Sequence, residues 1–112
     1  MSKYDVTEFK FIGKTKKRAV YLLPGGKNVI KVPLNEQGLH NNYLEDFRYR
    51  FQKSKWYSLA RCRLLKNGCL VMEYIEVIDK PYDLKLYWVD MVDCGQVGYN
   101  RLGEVVAYDY GD

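Results

Sequence analysis

Three turn signals divide this sequence into short strand-like runs, and they constrain its fold more than any other feature. Pro24-Gly25-Gly26-Lys27-Asn28, Lys66-Asn67-Gly68 and Arg101-Leu102-Gly103 each separate segments rich in β-branched and aromatic residues. Glycine reaches positive φ without steric cost, and Asn-Gly is the strongest short hairpin signal. Strands joined by connections this short pair antiparallel, because parallel pairing needs a crossover of about a dozen residues or more. The segments Tyr4 to Ile12, Ala19 to Leu23 and Val29 to Pro33 read as a three-strand meander, with Gly13 to Arg18 as its first, polar turn. Leu59 to Leu65 and Cys69 to Ile75 form one hairpin, and Gln96 to Asn100 and Glu104 to Tyr108 another. The stretch from Ile78 to Asp93 follows neither period clearly.

One segment breaks the strand pattern. From Asn41 to Tyr57, Leu44, Phe47 and Phe51 recur at steps of three and four, with Tyr43 and Tyr57 beside them. This predicts a helix that buries an aromatic side. Asn41 or Asn42 is the expected cap, Glu45 and Asp46 fall in the first turn, and Lys53 and Lys55 in the last, as the helix dipole favours. The expected architecture is α+β: one domain over residues 1–112, with an antiparallel sheet, one principal helix and a C-terminal hairpin.

Composition narrows the class. Apolar residues make up 47% and there are eleven Tyr, which argues for a packed core over disorder. No apolar run approaches the roughly 20 residues that span a bilayer, and no apolar signal core follows Met1, so a cytoplasmic protein without membrane association is expected. Cys62, Cys69 and Cys94 are odd in number and lack zinc spacing, so neither a disulfide framework nor a metal site is expected; Cys62 and Cys69 read as small core residues. Residues 1–66 hold fifteen Lys/Arg against five Asp/Glu, whereas residues 67–112 hold three against nine. The halves therefore differ in sign.

The order of elements and several residues resemble the small lobe of the protein-kinase fold. Gly13 and Val20 stand at the spacing of that family's first loop glycine and its following valine. Val29-Ile30-Lys31 matches the lysine strand, Glu45 the helix glutamate, and Leu70-Val71-Met72-Glu73-Tyr74-Ile75 the hinge strand. Val105 to Gly111 matches the strand running into an aspartate-aromatic-glycine motif, here Asp109-Tyr110-Gly111. The resemblance implies a nucleotide pocket using Gly13, Lys31, Glu45, Glu73 and Asp109, with ATP and magnesium as the ligands it would take. It implies that Lys31 and Glu45 face each other between sheet and helix across a loop from Pro33 to His40. Leu70 and Met72 would line the same cavity, and Asp109 would approach it.

The sequence departs from that family in the parts that do chemistry. Thr15 and Arg18 replace the second and third loop glycines. No histidine-arginine-aspartate motif is present, and the lone His40 lies far upstream. Only about eighteen residues separate Ile75 from Asp93, too few for a catalytic lobe, and Asp93 and Gln96 are too closely spaced for the catalytic aspartate and metal-binding asparagine. Ser2, Ser54 and Ser58 lie in no nucleophile motif, and Asp90 and Asp93 read as a solvated helix face.

The expected function is a non-catalytic module that binds or inhibits another protein, of a size that suits a viral or mobile-element factor acting in a host cytoplasm. One alternative is nucleic-acid binding through the basic half, with Lys14, Lys16, Lys17, Arg18, Arg48 and Lys53 as contacts and neighbouring aromatics for stacking. Another is a minimal nucleotide-binding phosphotransferase, completed by dimerisation.

Overall fold

The computed structural model describes residues 6, 8–52, 58–86, 88, 92 and 96–110. The first sheet has five strands in the order β1-β2-β3-β5-β4: β1 (Lys10–Lys14), β2 (Arg18–Leu22), β3 (Asn28–Pro33), β4 (Cys62–Leu64) and β5 (Leu70–Glu73). The second has three: β6 (Glu76–Val77), β7 (Val97–Tyr99) and β8 (Val105–Ala107). Among the described residues every strand pair is antiparallel, as the short turns require for β1–β2, β2–β3, β4–β5 and β7–β8. The two sheets meet at a parallel bridge between Leu59 and Ala107, where the Ala60 amide donates to the Ala107 carbonyl at 2.8 Å. The fold is α+β, with one α-helix among the described residues, α1 (Glu36–Phe47), extended by a single π-helical turn, Arg48–Gln52. Among the described residues no helix is long and apolar enough to cross a membrane.

Several expectations need correction. The strand expected over Tyr4 to Ile12 is Lys10–Lys14, with Val6, Glu8 and Phe9 outside it and Tyr4 outside the described residues; it runs on through Gly13 and Lys14, so the turn shrinks to residues 15–17. A bulge between Phe11 and Gly13 shifts the register, and Gly13 pairs with Val20. The C-terminal hairpin belongs to a sheet of its own, because the two-residue strand β6 pairs with β7. The helix starts six residues earlier than expected. Asn35 is its cap: its side chain accepts from the Gly38 amide at 2.9 Å and donates to the Lys16 carbonyl at 3.0 Å. The connection from β3 to α1 is therefore Leu34 and Asn35 alone, and Asn41 and Asn42 lie in the helix interior.

The largest correction concerns which face of α1 is buried. Inward stand Gly38, Asn41, Asn42, Glu45 and Asp46. Outward stand Tyr43, Phe47 and Phe51, at 54%, 44% and 68% exposure. The polar face is stable inside because its groups find partners: the Asn42 side-chain amide donates to the carbonyls of Lys31 and Gly68, and Asp46 accepts from the Leu64 amide at 3.0 Å. The first turn of α1 also lies hard against the β1–β2 turn. A Cβ on Gly38 would stand 2.0 Å from the Lys17 carbonyl oxygen, so only glycine fits there.

Register sorts the sheet residues between its faces, since paired residues and every second residue along a strand share a side. Arg18, Val20, Val29, Lys31, Leu70 and Met72 share the face toward α1 and the second sheet. The main core lies there, formed by Val29, Leu70, Met72, Val97, Val106 and Ala107 with others. A smaller cluster, Ile30, Val32 and Cys69, occupies the opposite side. Cys69 is buried as expected, whereas Cys62 is only half-buried.

Candidate functional site

Between β1, β2, β3 and the start of the second sheet lies a cleft of about 280 Å³. Its walls include Gly13, Val20, Val29, Met72 and Ile75, and its inner end carries Arg18, Lys31 and Asp109. The Phe11–Gly13 bulge brings Gly13 over the opening, while Lys31 and Val29 rise from one face of β3. Asp109 arrives just after β8, held in place because the Lys31 ammonium donates to the Tyr108 carbonyl at 2.9 Å.

At the inner end sits a tight ionic cluster. Glu45 is fully buried. Its carboxylate accepts from Lys31 Nζ at 2.8 Å and takes both guanidinium arms of Arg18 at 3.0 Å each. Arg18 also donates to the Asn42 side-chain oxygen at 3.0 Å and pairs with Asp109 at 3.1 Å. Burial alone would push the Glu45 carboxyl up, but the Lys31 charge and the Arg18 hydrogen bonds hold it below the usual carboxylate range. Asp109 moves the other way: burial and the nearby Glu45 carboxylate raise it, against the pull of Lys31 and Arg18. Two cations thus meet two carboxylates, and the cluster closes its own charge.

The sequence-predicted site residues divide. Gly13, Lys31 and Asp109 line the cleft, and Glu45 stands behind Lys31. Met72 lines it too, but Leu70 is buried in the main core and does not. Glu73 points to the other side of the sheet, because it pairs in register with Asn28; there it accepts from the Arg61 amide at 2.8 Å and binds the Arg61 guanidinium at 3.1 Å. Arg18, expected on a phosphate-binding surface, is instead buried in the ionic cluster. Its burial follows from register: Arg18 opposes Pro33 and shares the inner face of the sheet with Lys31, a signal carried by the i, i+2 step from Val20. Lys14 and Lys16 are exposed, Lys17 is half-buried, Arg48 donates to the Tyr110 carbonyl, and Lys53 lies outside the described residues, as does Asp93.

The arrangement offers little chemistry. No group of three metal-ligating side chains occurs among the described residues. Burial pushes the Cys62 thiol up to about 11, so it is not a thiolate at neutral pH. Burial likewise raises the Tyr108 and Tyr110 hydroxyls.

A second hollow, on the far side of the sheet, was not foreseen as a unit. It measures about 560 Å³ and gathers Lys27, Arg61, Arg63 and Arg101 around Val71 and Glu73. Comparison with protein-family models, with curated proteins and with solved structures gives no match.

Proposed function

We propose that this chain is a non-catalytic module that binds another protein through the outer face of α1. The observation that carries this reading is the row of exposed aromatics Tyr43, Phe47 and Phe51, with Arg50 stacked over the Phe51 ring at 5.2 Å. Phe47 and Phe51 lie 5.1 Å apart. Tyr, Phe and Arg are the residue types enriched in protein interfaces, and large exposed aromatics side by side are unusual on a surface with no partner. Helix formation does not require them there, since α1 is anchored by its polar inner face. The test replaces Tyr43, Phe47 and Phe51 together by Ser and compares proteins captured from the native cell. A specific partner held by the wild type and lost by a variant with an unchanged circular dichroism spectrum supports the reading. Equal capture by both overturns it.

The cleft favours a second reading, a reduced kinase-like small lobe. Its support is the placing of Gly13, Lys31, Met72 and Asp109 around one cavity, with Glu45 paired to Lys31. In this reading the Arg18 guanidinium shares Glu45 with Lys31 and pairs with Asp109, the carboxylate that would otherwise serve a metal, so nucleotide binds weakly and is not turned over. ATP turnover that disappears in Lys31→Ala and in Asp109→Ala would replace the binding-module reading by an enzymatic one.

A further inference from the structure

We propose that the hollow on the far side of the five-stranded sheet is a binding site for a compact oligophosphate, an anion carrying two or three adjacent phosphate groups. The proposal does not depend on the aromatic face of α1 or on the cleft.

The argument begins with where the cations come from. Arg61 and Arg63 are two residues apart at β4 and share one side of the sheet, with Arg63 directly opposite Val71. Lys27 comes from the β2–β3 turn, and Arg101 from the β7–β8 turn of the other sheet. Three parts of the chain therefore deliver cations to one concavity of about 560 Å³. Its single carboxylate among the described residues, Glu73, is buried and already paired with Arg61. Among the described residues Lys27, Arg63 and Arg101 form no ion pair. Four cations against one carboxylate leave a local charge of +3 in a concave site. Gathering like charges carries a small, salt-screened electrostatic cost that a bound anion relieves, and a hollow focuses the field of its walls on whatever enters.

The kind of anion follows from the lining. Arginine's planar fork matches phosphate oxygens in pairs, and three of the four cations are arginine. A charge of −3 or more on a small ligand balances the site, which one carboxylate cannot do. Single-stranded nucleic acid is bound by combining cations with aromatic platforms on which bases stack. No aromatic ring lines this hollow among the described residues, and its apolar lining there is Val71 and Cys62. The lining therefore suits phosphate groups without bases.

The test is calorimetric titration of the whole protein with inorganic tripolyphosphate, with orthophosphate and with a single-stranded RNA oligonucleotide, at about 50 and about 200 mM salt. Tripolyphosphate is expected to bind more tightly than orthophosphate. Arg63→Gln combined with Arg101→Gln should weaken it roughly ten- to hundredfold, as expected for losing charged hydrogen bonds. Lys10→Gln with Lys80→Gln removes two exposed cations outside both the hollow and the cleft and should leave the affinity unchanged. Equal loss in both double variants would reduce the effect to diffuse surface charge and overturn the proposal, as would no binding at either salt. RNA binding tighter than tripolyphosphate and lost with Arg63 and Arg101 would replace the oligophosphate by a nucleic acid. All four positions are exposed, so thermal melting should show each variant at least as stable as the wild type.

Discussion

Two groups of cations sit on opposite faces of the same sheet, and folding treats them in opposite ways. Arg18 and Lys31 face α1, are buried, and meet Glu45 and Asp109 in a cluster that closes its own charge. Arg61 and Arg63 face the other way and join Lys27 and Arg101 in a hollow that keeps an excess of positive charge. The first group is a structural solution: it lets a helix bury carboxylate and amide side chains without leaving one unsatisfied. Among the described residues no buried side-chain polar atom lacks a partner. In the second group only Arg61 serves that purpose, by pairing with the buried Glu73; Lys27, Arg63 and Arg101 do not. A fold can keep such an arrangement at the surface at little cost, because water and salt screen it. The difference separates charge that holds the molecule together from charge left over for a ligand, and it can be broken experimentally.

The largest effect is expected at Glu45. Cutting it to Ala leaves Arg18 and Lys31 as buried cations with Asp109 as their only carboxylate nearby, and losing one member of a buried ionic pair typically costs about 3–5 kcal/mol. Urea unfolding should show a much lower midpoint for Glu45→Ala and a smaller loss for Glu45→Gln, which keeps the hydrogen-bonding oxygen. The pH dependence carries the same signature. The folded protein holds the Glu45 carboxyl below its ordinary value of 4.5, so the stability it brings is complete above that pH and is lost as pH falls toward the lower folded value. Asp109, raised from 3.8 in the folded state, acts with the opposite sign and partly offsets that loss. Glu45→Gln should therefore flatten the acid limb of the stability curve. A limb as steep as the wild type's would show that other carboxylates control acid unfolding.

An intermediate effect is expected at Gly38, and it sharpens the contrast because it disturbs one group of cations and not the other. An alanine Cβ would meet the backbone of Lys17, 2.0 Å from its oxygen and 2.9 Å from its carbonyl carbon. Backbone cannot swing aside as a side-chain end can, so the turn that leads into Arg18 must shift. Overpacking of this kind costs about 1–3 kcal/mol, against which the better helix propensity of alanine returns about 1. Gly38→Ala should lower the urea midpoint while leaving tripolyphosphate affinity as in the wild type. A parallel loss of affinity would mean that the two faces of the sheet are coupled.

How much of this could be read in the sequence depends on the range of the interactions involved. The hairpins were legible because Gly25-Gly26, Asn67-Gly68 and Leu102-Gly103 act locally. The convergence of Lys31, Glu45 and Asp109 was legible only through the resemblance to the kinase small lobe, which assigned each residue to its element. The buried face of α1 was not. Leu44, Phe47 and Phe51 have the apolar period of a core-facing side, and the reason they are not the buried side lies elsewhere in the chain, in Arg18 and Lys31, which make the polar side the better one to bury. The helix start was hidden because Asn41 and Asn42 have the same capping chemistry as Asn35; what selects Asn35 is its bond to the Lys16 carbonyl across the β1–β2 turn. Glu73 was misplaced for a related reason, since a strand residue's face is fixed only once its partner, Asn28, is known.

The smallest effect is expected where the charge is left over. Lys27, Arg63 and Arg101 are exposed, and none forms an ion pair among the described residues. Replacing any one by Ala removes no packed surface and no buried partner, so stability should change by about 0.5 kcal/mol or less. The sign is informative. If the hollow concentrates like charge, removing Arg63 should stabilise the protein slightly at low salt, and the gain should fade as ionic strength rises and the Debye length shrinks to about 10 Å or less. Thermal melting of Arg63→Ala and Arg101→Ala across a salt series checks both points. A loss above about 1 kcal/mol would mean that these arginines hold the two sheets together, and their charge would then belong with that of Arg18 and Lys31 as part of the fold.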